Sequence, residues 1–159
     1  MDRGAQRRRR LRETFGPEYE RTVQESPNRI KAEKELLERQ KRHDKLDIQP
    51  LSDSARVHYR QQWSLIQERF VDRPGDAIVE ADRVLTQLMA DRGYPTEGYE
   101  QQASDLSVEH ARTLEHYRTA RETLHGHEKT NADTESLRKA MVHYRTVFDD
   151  LLGEREGSK

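Results

Sequence analysis

The fold class is decided by residues 59–70, which read YRQQWSLIQERF. Their large apolar side chains recur at spacings of 4, 3 and 4, which is the period of one face of an α-helix. Ser52 or Asp53 is suited to cap this helix, and Pro74 ends it near Asp72. A helix with such a stripe must bury it against neighbouring helices. The stripe consists of Tyr59, Trp63, Ile66 and Phe70.

Three downstream segments repeat this helical pattern. One helix opens at Pro74 and stops at Gly93, a second starts near Ser107, and the last stops at Gly153. Residues 94–104 read as a polar loop, and no segment alternates as a strand does. The sequence therefore predicts an all-α fold, an antiparallel helical bundle of about four helices. Its core is predicted to include Trp63, Phe70, Tyr144 and Phe148.

The region before the bundle reads differently. Residues 1–16 are predicted to be a disordered basic tail, and residues 17–46 a long charged helical extension that Pro27 is able to break. Residues 52–153 are assigned to the bundle domain. The extension has few apolar residues along its side, so it is predicted to lie along a partner or to project from the domain. This sparse seam consists of Tyr19, Val23, Ile30 and Leu37.

Composition and charge limit the possible partners. The chain has 159 residues, of which 31% are hydrophobic and 37% charged, so only a thin core is expected. The net charge of −1 provides no global field for nucleic acid or membrane. However, residues 1–45 carry 14 Lys/Arg against 9 Asp/Glu, whereas the remainder is net negative. Any anionic partner is therefore expected at the N-terminal end.

Several classes of chemistry lack their usual sequence signals. There is no cysteine, so disulfides and thiolate chemistry are excluded. No apolar run approaches the ~20 residues of a membrane-spanning helix, and the arginines near the N-terminus are not followed by the apolar stretch of a signal peptide. As given, the chain is expected to be cytoplasmic. No phosphate-binding glycine loop, nucleophile elbow or HExxH motif occurs, so no catalytic residue and no cofactor are predicted.

One tripeptide, His-Tyr-Arg, occurs three times, at residues 58–60, 116–118 and 143–145. The functional interpretation is that the three imidazoles converge on a metal or cofactor. The structural interpretation places each tyrosine on the apolar stripe and each histidine on the helix flank, about 100° away. The structural interpretation is favoured, because the other histidines also lack the repeated same-face spacing of metal ligands. No metal site is predicted.

The arginine run allows three interpretations: a solvated tail, a phosphate-binding arm or a basic patch beside a membrane. No aromatic side chain lies among the arginines to stack on bases, so nucleic acid is an unlikely partner. The predicted contacts with an anionic surface are Arg7, Arg8, Arg9, Arg10 and Arg12.

A longer likeness begins at residues 11–23, LRETFGPEYERTV, and continues through LDIQPL at 46–51, RFVD at 69–72 and RGYP at 92–95. With these strings the chain resembles an uncharacterised family of bacterial proteins, often labelled membrane or secreted. The resemblance implies no activity and no site residues. Many members carry an N-terminal membrane helix directly before the arginine-rich stretch, which this sequence lacks. The resemblance therefore implies either a soluble member or one whose anchor is missing from the given sequence, and the second alternative favours membrane association through the arginines.

These observations lead to two functional hypotheses. The first is a non-enzymatic helical protein-interaction module that binds a protein partner or a second copy through its N-terminal helix, with weak contact to an anionic membrane surface. The alternative is a ligand- or metal-binding helical bundle. Histidines that line a cavity would favour the alternative, and histidines on the outer flanks would favour the interaction module.

Overall fold

A computed structural model describes residues 2–153 of the chain. The predicted all-α class is confirmed, because the regular structure of this range consists of helices alone. The helices are α1 (Arg3–Phe15), α2 (Pro17–Glu25), α3 (Arg29–Asp44), α4 (Asp53–Asp72), α5 (Pro74–Arg92), α6 (Tyr99–Glu109), α7 (Ala111–Thr130) and α8 (Thr134–Leu152).

The number of helices differs from the prediction. Eight helices lie within residues 2–153, where a bundle of about four helices with one N-terminal helix was expected. The predicted stops at Gly93 and Gly153 are both correct, since each glycine has a positive φ after its helix. Ser52 caps α4 by accepting the Ala55 N–H at 3.1 Å. Glycine and capping residues thus predicted several helix ends correctly, whereas α1 and α6 were not predicted as helices.

The chain divides into two compact units. The N-terminal unit comprises residues up to 47 together with 97–114, and the C-terminal unit comprises 48–96 together with residues from 115 onward. Within the N-terminal unit, α1 contacts α2, α3 and α6, and α3 also contacts α2 and α6. Within the C-terminal unit, α5 contacts α4 and α8. The predicted domain 52–153 therefore differs from the observed division, because residues 97–114 pack with the N-terminal helices.

The first helix occupies the region predicted as a disordered tail, whose residue 1 lies outside the described range. Asp2 caps α1 by accepting the Gly4 N–H at 3.1 Å. Leu11 and Phe15, four residues apart, are buried in a core shared with Tyr19, Leu36 and Val108. The basic composition concealed this helix, because its apolar face has only these two large side chains.

The predicted extension 17–46 is interrupted between α2 and α3. Pro27 lacks an N–H and lies in the break, and Asn28 caps α3 by accepting the Lys31 N–H at 2.9 Å. The break changes which side of α3 faces inward. Leu36 is fully buried, whereas Ile30 of the predicted seam is 74% exposed. The extension is thus two helices packed within the N-terminal unit.

Helix α6 lies partly within the predicted polar loop, residues 94–104. It buries apolar side chains, Ala103 and Leu106 among them, together with three polar ones, Gln102, Asp105 and Ser107. Asp105 is paired with Arg42 of α3, whose Nε lies 3.2 Å from the carboxylate. Because this partner is distant in sequence, the local sequence pattern around α6 predicted a polar loop and not a helix with a buried side.

The core of the C-terminal unit follows the predicted stripe. Trp63 of α4 stacks on Phe148 of α8, with ring centroids 4.6 Å apart and planes at 14°. Trp63, Phe148 and Tyr144 are buried as predicted, whereas Phe70 is only partly buried. Stacked aromatic rings combine large apolar burial with a favourable ring geometry. The apolar stripe read from the sequence therefore forms part of the core of this unit.

Candidate functional site

The predicted arginines lie on α1, whose inward side is formed by Leu11 and Phe15. Together with Arg3, the helix carries six arginines, and these six are termed the arginine surface. Arg8 is partly buried and the others are exposed. The structure therefore brings all five predicted contact residues onto one helix, and it adds Arg3 to the set.

Arg7 is oriented by an ion pair with α3. Its Nε lies 3.2 Å from Oε1 of Glu33, a buried carboxylate on α3. The Tyr19 hydroxyl donates to the other carboxylate oxygen, Oε2, at 2.7 Å. Burial raises the pKa of Tyr19, and the hydrogen bond to Glu33 raises it further, so the phenol stays protonated and donates. Arg7 is thereby fixed by α3 while half of its side chain remains exposed.

Arg12 also has partners within the N-terminal unit. Its Nη2 lies 3.2 Å from Glu20 of α2, and its guanidinium carbon lies 5.1 Å from the centroid of the Tyr19 ring. A guanidinium at this distance from a ring face is attracted to it. In contrast, Arg3, Arg8, Arg9 and Arg10 form no ion pair within residues 2–153. Four positive charges on α1 thus have no ion-pair partner among the residues that the structure describes.

Two grooves flank α1. The larger, of about 730 Å³, lies between α1 and α3 and is lined by Arg3, Arg7 and Arg10 among others. The smaller, of about 450 Å³, is lined by Ala5, Arg8, Arg9, Arg12 and Glu13. Arg3 was not among the predicted contacts, although its i, i+4 and i+7 spacing with Arg7 and Arg10 indicates a shared side of a helix.

The His-Tyr-Arg tripeptides are used mainly to connect helices. All three tyrosines are buried, as the structural interpretation predicted. The Tyr144 hydroxyl donates to Asp82 at 2.8 Å, and the Tyr59 hydroxyl donates to Asp91, so both acceptors lie on α5. Burial raises the pKa of Tyr144, and the Asp82 carboxylate adds to the rise. The tyrosines thus anchor α4 and α8 to α5.

Two of the three tripeptide histidines meet. The Nδ1 atoms of His116 and His143 lie 2.8 Å apart, so one ring must donate and the other accept. Burial lowers the pKa of His143, and the neighbouring His116 lowers it further. His58 lies on the exposed side of α4. No cluster of three or more metal-ligating side chains is found among the residues that the structure describes.

The C-terminal unit contains a groove of about 790 Å³ beside α5 and α7. Asp82 and Arg121 form part of its lining and are paired at 2.9 Å, and Arg121 also approaches His125 at 3.4 Å. Burial by itself would lower the pKa of Arg121, but Asp82 together with Tyr117 and Tyr144 more than offsets this effect, so the pKa is raised. Asp82 and Arg121 of this groove are therefore already paired with each other within the protein.

No family model, curated protein or solved structure matches this chain. Within the described range, no helix has both the length and the apolar character needed to cross a bilayer. The arginine surface is accordingly interpreted from its own geometry and charge.

Proposed function

We propose that this chain is a non-enzymatic helical interaction module that docks onto an anionic partner through the arginine surface of α1. The observation that carries the proposal is that Arg3, Arg8, Arg9 and Arg10 form no ion pair within residues 2–153. Like charges crowded on one short helix repel one another, and an opposing anionic surface relieves that repulsion.

The buried carboxylates support a role without catalysis. Glu18, Glu33, Asp82 and Asp105 are each paired with an arginine on a different helix. Paired carboxylates of this kind hold helices together, because removing one partner leaves a buried charge without compensation. Their geometry is thus accounted for by the fold.

The partner is best described by its charge. An acidic protein face, an acidic region of a second copy and an anionic membrane surface all satisfy it, with roughly 1 kcal/mol gained per basic residue near anionic lipid. Docking through residues 17–46 is less favoured than was expected from the sequence, since Tyr19, Ala32 and Leu36 are buried within the N-terminal unit. Its exposed Ile30 remains available for a protein partner.

A matched pair of variants tests the proposal. Arg8→Gln combined with Arg9→Gln removes two charges from α1, and Lys31→Gln combined with Lys34→Gln removes two exposed charges from α3. Co-sedimentation with phosphatidylcholine vesicles containing phosphatidylserine should weaken for the arginine variant by about 2 kcal/mol, following roughly 1 kcal/mol per basic residue. The lysine variant should stay close to the parent, and all binding should decrease at high salt.

Two outcomes would contradict the proposal. Equal losses in both variants would mean that net charge alone governs binding. If the parent protein bound neither anionic vesicles nor an acidic polypeptide, the proposed docking to an anionic partner would be wrong. A mobility-shift assay at matched ionic strength provides the comparison with nucleic acid, and tighter binding there would identify a different partner class.

A second candidate function, ligand binding, is favoured by the C-terminal groove of about 790 Å³, whose size is that of typical small-molecule sites. Gln87 lines this groove and is exposed. A compound that raises the melting temperature of the parent but not of Gln87→Leu would support this alternative.

A further inference from the structure

The larger groove on α1 has the charge and shape of an anion site. It lies within the N-terminal unit and has a volume of about 730 Å³, within the range of ligand pockets. Three arginines line it, Arg3, Arg7 and Arg10, against one acid, Glu13. Because the arginines are spaced by 4 and 3 residues, they lie along one side of the helix. The groove therefore concentrates positive charge in a concave surface.

The three arginines are not equivalent. Arg7 is oriented through Nε by the buried Glu33 at 3.2 Å, and Glu33 is itself held by Tyr19 at 2.7 Å. Arg3 and Arg10 form no ion pair with a described residue. One guanidinium is thus positioned in advance, which lowers the entropic cost of binding, and two retain their full charge for a ligand.

Neutral groups complete the lining. Gln6 and Thr14 on α1 and Gln40 on α3 add amide and hydroxyl groups, while Leu11 and Leu37 supply apolar surface. A phosphate group accepts several hydrogen bonds at once, and guanidinium groups match its geometry with two parallel N–H donors. The combination of charge and multiple donors fits phosphate better than a carboxylate, which offers fewer acceptor oxygens.

We infer that the groove between α1 and α3 binds a phosphate group, with Arg3, Arg10 and Gln40 as direct contacts and Arg7 as the pre-positioned third cation. The phosphate is carried either by a soluble phosphorylated compound or by a lipid headgroup, and the chemistry of recognition is the same. This inference rests on the proposed function, because it assigns a specific ligand class to part of the same arginine surface.

In the experiment, inorganic phosphate is titrated into the full chain. Binding is measured from the changes in the chemical shifts of the backbone amides. Arg10→Gln should weaken phosphate binding about tenfold, the effect of losing one charge-assisted hydrogen bond. Gln40→Leu leaves the charge unchanged and should weaken binding about threefold. The matched controls are Arg9→Gln, whose side chain lines the smaller groove, and Gln24→Leu, which is exposed on α2. Both should bind inorganic phosphate as the parent does, although Arg9→Gln is expected to weaken vesicle binding. Circular dichroism is used to check that each variant is folded.

The outcomes separate this inference from the proposed function. If Arg9→Gln weakens binding as much as Arg10→Gln and Gln40→Leu has no effect, the positive field is diffuse and the phosphate site is refuted, while docking to anionic surfaces survives. Vesicle binding without any phosphate binding refutes the site in the same way. If the protein binds neither inorganic phosphate nor anionic vesicles nor an acidic polypeptide, both the site and the proposed function are refuted.

Two vesicle compositions identify the source of the phosphate. Phosphatidylcholine vesicles carrying phosphatidic acid are compared with vesicles carrying phosphatidylglycerol at matched surface charge. A preference for phosphatidic acid that inorganic phosphate abolishes supports the site with a lipid headgroup as ligand. Phosphate binding without this preference supports the site with a soluble phosphorylated ligand.

Discussion

The N-terminal and C-terminal units bury charged groups in different ways. In the N-terminal unit, three buried carboxylates, Glu18, Glu33 and Asp105, are paired with arginines whose side chains remain 15–49% exposed. In the C-terminal unit, Asp82 is shared between an arginine of α7 and the buried hydroxyl of Tyr144. The first unit thus uses ion pairs at its helix contacts, and the second adds tyrosine hydrogen bonds to an aromatic core.

This difference indicates how each unit is stabilised. Apolar burial contributes about 25 cal/mol per Å² and depends little on salt. A buried carboxylate without its arginine, in contrast, is strongly destabilising. We therefore expect the N-terminal unit to respond to the loss of single charges and the C-terminal unit to respond to truncation of its aromatic residues.

The largest effect is expected for Trp63→Ala. Trp63 is 4% exposed and stacks on Phe148, so its truncation should lower the free energy of unfolding by about 3–5 kcal/mol. Phe70→Ala is the control, because Phe70 is only partly buried and should cost less. Urea unfolding monitored by circular dichroism measures both. Equal losses would show that the stacked pair is not the main apolar contact of this unit.

The next effect is expected for Arg39→Met in the N-terminal unit. This change leaves the Glu18 carboxylate, 2% exposed, without its arginine partner at 3.3 Å and should cost about 3 kcal/mol. Arg145→Met is the matched control, since its pair with Asp149 is 60% and 42% exposed and should contribute less than about 1 kcal/mol. Hydrogen exchange of the α2 and α3 amides reports the loss locally. If the two variants were equally stable, the contrast between the units would fail.

The smallest effect concerns pH and the C-terminal unit. His143 has a pKa below its ordinary value of 6.5, because burial and then His116 disfavour its charged form. The unfolded chain therefore binds more protons, and the stability of the fold should decrease as pH falls below 6.5. His143→Gln should flatten this decrease in thermal melts from neutral to mildly acidic pH. His58→Gln, at the equivalent position of the first tripeptide but on the exposed side of α4, should leave the slope unchanged. A slope that neither change affects would rule out the paired imidazoles as its source.

The sequence was most informative where apolar residues are dense and periodic. The stripe of α4 and the glycine stops of α5 and α8 were predicted correctly because they depend on interactions within one or two turns. The prediction failed at α1 and α6. Their buried faces are short or include polar side chains such as Asp105, whose partner Arg42 is 63 residues away in the chain. Local patterns give no indication of such a pair.

The candidate site was predicted in part. The concentration of arginines at residues 7–12 is plain from the sequence, and the structure places them on α1. Arg3 and Gln40 were overlooked, because the first stands apart from the run and the second belongs to another helix. The repeated tripeptide is evident in the sequence. That its tyrosines donate hydrogen bonds to carboxylates of α5 depends on the packing of three helices.

By itself, the sequence determined the all-α class, the strong helix boundaries and the positive charge at the N-terminal end. Each of these follows from composition or from contacts between near neighbours along the chain. Only the tertiary structure decided that residues 97–114 pack with the N-terminal helices, that His116 meets His143, and that Arg7 is fixed by Glu33. These pairings join residues far apart in sequence, and they form because buried charges and polar rings must find partners once the helices exclude water.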